Sequence, residues 1–226
     1  MDVIENLKKH YLKNSLIRSL IQLVPFGVGS GIDVALSTYI DNIKQKRLKI
    51  FFDELNSGSI KLSPELVESE NFLHCYFSTL KAALNSRRQE KNEMFSRLLK
   101  STIRAGNYSS IDEFEEYLKI LDELSLREFQ ILIKLEEYES ENPLLDTDNG
   151  NELKRATRFW ESFVGDIKNL GVPENEVDSI INRLNRSGCF ETFVGNYYDY
   201  TGGKGKTTAT FKRLKKLIET ENKRVK

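Results

Sequence analysis

Glu176-Val-Asp-Ser-Ile-Ile-Asn-Arg-Leu-Asn-Arg186, then Ser187-Gly188 and Cys189-Phe-Glu-Thr-Phe-Val-Gly195, open the stretch whose reading decides the fold. It continues through Asn196-Tyr-Tyr-Asp-Tyr-Thr-Gly-Gly-Lys-Gly-Lys206 to Phe211-Lys-Arg-Leu-Lys-Lys-Leu-Ile218. A short polar helix stops at a glycine, β-prone residues lead to a glycine-lysine tip, and a basic helix closes the run. That is the chain order of a winged-helix module, with the helix as the reading element and the hairpin as the wing. Asn182, Arg183 and Arg186 on the helix, Lys204 and Lys206 on the wing, and Lys212 and Arg213 beyond it are the candidate contact residues. They suit base edges and phosphates. They also suit a protein surface, and Glu174, Glu176 and Asp178 at the helix start oppose a phosphate.

Outward from this stretch the chain reads as mainly α. Apolar residues recur at helical spacing over 2–24 and 32–55. Ser63-Pro64-Glu65 marks a helix start that continues through Leu66, Phe72 and Leu80, and Ser125-Leu-Arg-Glu128 has the capping-box spacing. Over 87–105, Phe95, Leu98, Leu99 and Ile103 form the apolar side, with Arg97 and Lys100 off it. Residues 139–151 (ESENPLLDTDNGN) carry the linker signal, acidic with proline and glycine. The predicted organisation is a helical bundle with a glycine-rich helical hairpin over 1–140, then a winged-helix-like domain with a small β-hairpin over 152–226. If the helix at 126–138 packs with the second domain, the boundary moves back to about 110.

Composition bounds the function. With 39% hydrophobic and 30% charged residues the chain can form a core, so bulk disorder is excluded. Net charge is zero but uneven. Residues 112–152 hold fourteen acids against Lys119, Arg127 and Lys134, and residues 202–226 hold nine Lys or Arg against Glu219 and Glu221. The basic end can meet phosphates or the chain's own acidic middle. Cys75 and Cys189 stand in unrelated contexts, which points to a reduced, cytoplasmic protein without disulfides. No compact signal peptide opens the chain.

Other motifs carry less. Gly202-Gly-Lys-Gly-Lys-Thr-Thr208 hints at a phosphate loop, but the pattern needs glycine where Tyr200 stands, and no alternating strands flank it. His74 and Cys75 are adjacent, about 100° apart on a helix, so they cannot form a catalytic pair. No metal-ligand spacing occurs, and neither a cofactor nor a small-molecule substrate is expected. The segment Phe26, Gly27, Val28, Gly29, Gly31 and Ile32 lies in an uncharged run between Arg18 and Asp33, too short to span a bilayer as one helix. It reads as a buried turn, a partner interface or a membrane-active hairpin.

Two pairs of segments carry a resemblance. One is Pro25-Phe-Gly-Val-Gly-Ser-Gly-Ile-Asp33 with Lys46-Arg-Leu-Lys-Ile-Phe-Phe-Asp-Glu-Leu55. The other is Arg87-Arg-Gln-Glu-Lys-Asn-Glu-Met-Phe-Ser-Arg-Leu-Leu99 with the stretch Phe114-Glu-Glu-Tyr-Leu-Lys-Ile-Leu-Asp-Glu-Leu-Ser-Leu-Arg-Glu128. Together they resemble a family of uncharacterised bacterial helical proteins found near phage-defence or mobile-element genes. The resemblance spans most of the chain and implies a bacterial, cytosolic setting. It transfers no activity and no catalytic residue. The resulting expectation is a non-enzymatic binding or regulatory protein, its partner DNA, another protein or a second copy of itself. The alternatives are a membrane-perturbing effector acting through residues 15–40 and a purely structural oligomer.

Overall fold

The structure is a computed structural model and describes residues 8, 9, 11, 14–24, 34–57, 62–105, 111–194 and 203–219, the side chains of 34–41 and 105 excepted. Among these residues the chain is mainly helical, with one two-stranded antiparallel sheet. It divides into two compact units, Met1–Leu118 with Leu217–Lys226, and Lys119–Lys216. The segment Phe26, Gly27, Val28, Gly29, Gly31 and Ile32 lies outside the described residues. So do Gly195 to Gly202 and the chain end from 220.

In the first unit, α1 (Ser15–Gln22), α2 (Val34–Asn56), α3 (Pro64–Glu68), α4 (Glu70–Asn85) and α5 (Gln89–Ala105) precede α6 (Ile111–Glu123), which runs across the division. Asn14 caps α1 and Ser63 caps α3, with Pro64 in the first turn. The single helix expected from Ser63 through Leu80 is in fact two. Ser69 takes an extended conformation (φ −70°, ψ 135°), and its hydroxyl accepts from the Phe72 amide, capping α4 afresh. Phe51 and Phe52 of α2, Phe72 and Tyr76 of α4 and Phe95 and Leu99 of α5 are buried together in the core of this unit. The Tyr76 hydroxyl donates to the Leu20 carbonyl at 2.7 Å, which satisfies a buried phenol and ties α1 to α4.

The α2–α5 pair also buries polar groups. Lys100, expected off the apolar side, is fully buried. Its Nζ lies 2.9 Å from the Glu54 carbonyl, 3.2 Å from Glu54 Oε1 and 3.0 Å from Ser57 Oγ. The ammonium therefore sits on the C-terminal end of α2, where helix carbonyls lack partners and the helix dipole favours a cation. Arg97 Nε donates to the same carboxylate at 3.1 Å. One turn earlier on α5, Ser96 Oγ donates to the Phe51 carbonyl at 2.9 Å.

The second unit contains α7 (Leu126–Glu141), α8 (Glu152–Asn169), α9 (Val177–Arg186), β1 (Phe190–Thr192), β2 (Gly205–Thr207) and most of α10 (Ala209–Glu219). Ser125 and Glu128 form the capping box at the start of α7. Tyr138 of α7 stacks on Phe159 of α8 with ring centroids 5.5 Å apart, and Phe129 meets Phe211 edge-on at 5.7 Å. Residues 139–151 lie within this unit and have structure of their own. A 3₁₀ turn, Asp146–Asp148, is followed by Asn149 in the left-handed region (φ 51°) and Gly150 (φ 73°).

That turn is closed by charge. Arg158 of α8 places Nη1 2.6 Å from both Asp148 oxygens, and Asp148 Oδ2 accepts from the Leu145 amide at 2.8 Å. The guanidinium, followed by that amide, holds the Asp148 carboxyl below its ordinary value of 3.8. A carboxyl whose folded pKa is depressed stabilises the fold above its unfolded pKa and loses that contribution as pH falls through the folded value. Amides of residues 145–151 should accordingly lose protection, measured against the intrinsic exchange rate at each pH, below pH 3.8, while the same amides in Asp148→Asn should already be weakly protected at neutral pH. A protection factor in the parent that ignores acidification would remove Asp148 as the latch.

Candidate functional site: the basic face of the second unit

The seven contact residues predicted from sequence all fall in the described part of the second unit. Helix α9 turns Val177, Ile180, Ile181 and Leu184 inward and leaves Asn182, Arg183, Asn185 and Arg186 exposed. Its expected polar face is thus real. Lys204 directly precedes β2, Lys206 lies on it, and Lys212 and Arg213 lie on α10, both exposed.

Of these cations, Arg183, Lys206 and Lys212 face carboxylates of the same unit, as does the neighbouring Lys215. Arg183 Nε lies 3.0 Å from Glu128 Oε1, and Lys206 Nζ lies 2.8 Å from Glu152 and 3.9 Å from Glu191. Lys212 Nζ lies 3.3 Å from Glu139, and Lys215 Nζ 2.5 Å from Glu136. The Glu152 carboxylate raises the Lys206 pKa above its ordinary 10.5. Lys204 Nζ donates to Thr157 Oγ1 at 3.2 Å. The acidic middle and the basic end, which composition left as alternatives for each other or for phosphate, meet inside one unit.

Two of the acids do more than neutralise. Glu139 is buried, and its two oxygens accept from the Thr207 amide and the Thr207 hydroxyl, each at 2.6 Å. It therefore pins β2 to the end of α7. Glu128 is buried as well, shared between the capping box and Arg183. The sequence marks Glu128 only as a capping-box residue and gives Glu139 no role beyond the linker signal. A signal was present: Glu128, Leu132, Leu135 and Glu139 recur at intervals of four, three and four, so they share the inward face of α7.

The hairpin itself depends on one glycine. The register pairs Phe190 with Thr207, Glu191 with Lys206 and Thr192 with Gly205. Gly203 has the positive φ (87°) expected of a hairpin connection, but Gly205 is needed for space: a Cβ there would strike the Glu191 carbonyl oxygen and the Phe190 ring. Gly205→Ala should cost about 2 kcal/mol by forcing the strands apart. The chain's single tryptophan, Trp160, has its ring centroid 6.5 Å from that of Phe190, so its fluorescence emission should move with the strands. An alanine variant with parental emission and melting would mean the backbone yields freely.

Residues 43–226 match the family described as abortive infection alpha. The chain belongs to that family. Abortive infection alpha carries a bacterial phage-defence context, in line with the resemblance read from the sequence. No curated protein and no solved structure matches the chain. For this family member, no helix among the described residues is long and apolar enough to cross a membrane. No group of His, Cys, Asp and Glu among the described residues is arranged to hold a metal ion. Burial pushes the Cys75 thiol up to about 11 and moves Cys189 in the same direction, so both are protonated at neutral pH. His74 Nε2 is 2.5 Å from Glu115 Oε1 on the exposed surface of the first unit.

Proposed function

We propose that this abortive infection alpha protein is a non-enzymatic, cytoplasmic binding component of a bacterial phage-defence response, and that its second unit docks a protein partner. The second unit is read as winged-helix-like: α7, α8 and α9 pack together, the β1–β2 hairpin lies against them, and α10 follows. The exposed polar face of α9 and the adjoining hairpin form the docking surface.

One observation favours protein over nucleic acid: Arg183, Lys206, Lys212 and Lys215 each stand within 4.0 Å of a carboxylate of their own unit. Phosphate binding draws its strength from cations that displace condensed counterions, and a cation already facing a carboxylate contributes little to that exchange. A protein interface needs no such surplus of cations: its rim is polar and solvent-accessible, which a surface of internally paired charges can supply. The buried thiols, both protonated, offer no nucleophile, which supports a binding role over catalysis.

The deciding experiment is a titration of the full-length protein with random-sequence duplex DNA across a salt series. Weak binding with a shallow salt dependence is the expected result. Tight binding whose logarithm falls steeply with added salt, by several charges' worth, would overturn the protein-docking reading. In that event Asn182 and Arg186 become the first residues to exchange for alanine.

A further inference from the structure

We propose that the outer edge of β1 receives an extended segment of the partner protein, one that alternates basic and apolar residues. This rests on the protein-docking reading and names where the partner's backbone sits. The Thr208 amide donates to the Cys189 carbonyl at 3.1 Å, and the Phe193 amide donates to the Lys204 carbonyl at 2.9 Å. Bonded and non-bonded pairs alternate along an antiparallel ladder. Given the register, Cys189, Glu191 and Phe193 direct their backbone groups at β2, and Thr192 turns its N–H and C=O the other way.

The two edges of the hairpin differ. On the β2 side, the outward Thr207 amide is taken by buried Glu139. An open cleft of about 690 Å³ borders the hairpin, lined by Glu191, Thr192 and Val194, by Lys206 of β2 and by Gly150 and Glu152, and among the described residues no hydrogen bond within the unit takes the outward Thr192 amide. An uncovered strand edge is a template for another strand, and folded proteins generally blunt it. Here the edge runs on into Val194, a β-branched residue that is 97% exposed.

The lining sets the chemistry of the occupant. Glu152 and Glu191 bring two negative charges and Lys206 one positive charge. Lys206 lies nearer Glu152 (2.8 Å) than Glu191 (3.9 Å), and the Glu191 side chain is 62% exposed. Glu191 is therefore placed to meet a lysine or arginine of the incoming strand, and Val194 an apolar side chain. Strand addition supplies affinity through backbone hydrogen bonds and specificity through such alternate side chains.

The test uses the full-length protein and a capped hexapeptide alternating lysine and valine, with a glutamate-valine hexapeptide as comparator. The lysine-valine peptide should slow hydrogen exchange of the Thr192 amide by about tenfold, and the glutamate-valine peptide should not. Thr192→Pro removes the outward N–H without touching a bond to β2, and should abolish binding. Glu191→Lys leaves the backbone intact and should reverse the preference to the glutamate-valine peptide, which keeps the test decisive if the proline variant folds poorly. Unchanged Thr192 exchange at saturating peptide, or equal binding of both peptides, would overturn the edge site. That result leaves docking by α9 standing, whereas steep salt-dependent DNA binding removes the docking reading whatever the peptides do.

Discussion

Replacing Lys100 with alanine is expected to cost the first unit about 3 kcal/mol, enough to move a denaturant midpoint well clear of the parent's. The ammonium is fully buried and is held by the Glu54 carboxylate, the Glu54 carbonyl and Ser57 Oγ at the end of α2. Truncation leaves a carboxylate that is only 15% exposed with Arg97 as its remaining partner, and it removes the charged donor to the Glu54 carbonyl, which keeps the amide and hydroxyl of Ser57. Breaking one side of a buried ion pair is costly because the other charge stays behind. Replacing both sides by apolar groups removes that penalty. The double variant Lys100→Met with Glu54→Met should therefore recover much of the loss. Urea unfolding of the four-member cycle checks this: if the double variant is as unstable as the sum of the singles, the two residues do not act as a pair.

Glu139→Leu is expected to destabilise the second unit by a comparable amount, about 3 kcal/mol. The carboxylate accepts from both the amide and the hydroxyl of Thr207, a residue that is itself buried. Leucine fills the volume but leaves two buried donors without acceptors. Glutamine restores one acceptor and turns an NH₂ group towards a donor, so it should fall between the two. The loss should appear first at the hairpin, as faster exchange of the Thr207 amide and a shift in Trp160 emission. Equal stability of Glu139→Leu and the parent would show that β2 is held by its apolar contacts alone.

These two residues also mark where the sequence stopped being readable. Helix-forming periodicity and the caps Ser63 and Ser125 announce themselves locally, because caps are satisfied within a few residues. Burial of a charge is not local. Lys100 looks solvent-facing beside Arg97 and Arg104 until α2 is laid against α5 and brings Glu54 to it. Glu139 sits in a run of acids that composition reads as a linker, yet its partner Thr207 lies 68 residues away. Ser69 is the converse case. A serine inside a helical pattern reads as neutral, and only its extended backbone reveals that it ends one helix and caps the next.

The candidate site was legible as residue types and opaque as pairings. Exposed polar residues on α9 follow from the spacing of Val177, Ile180, Ile181 and Leu184. Nothing in the spacing says that Arg183 reaches Glu128, or that Lys206 reaches Glu152. Those pairings are what the proposed preference for a protein partner rests on, and none of them is legible from local sequence. The glycines divide the same way: Gly203 serves a turn, as its surroundings suggest, whereas the need for Gly205 comes from the Phe190 ring on the opposite strand.

The long reach of these pairings has a consequence for how the chain is made. Glu136 and Lys215 are separated by 79 residues, and Glu139 and Thr207 by 68. During synthesis α7 emerges first, carrying its acids, and its hydroxyl, amide and ammonium partners follow 68 to 79 residues later. Contacts of such sequence separation close late. A nascent chain halted before Thr207 therefore exposes a helix with buried-type carboxylates and no partner for them. The second unit becomes native only when its final helix has left the ribosome.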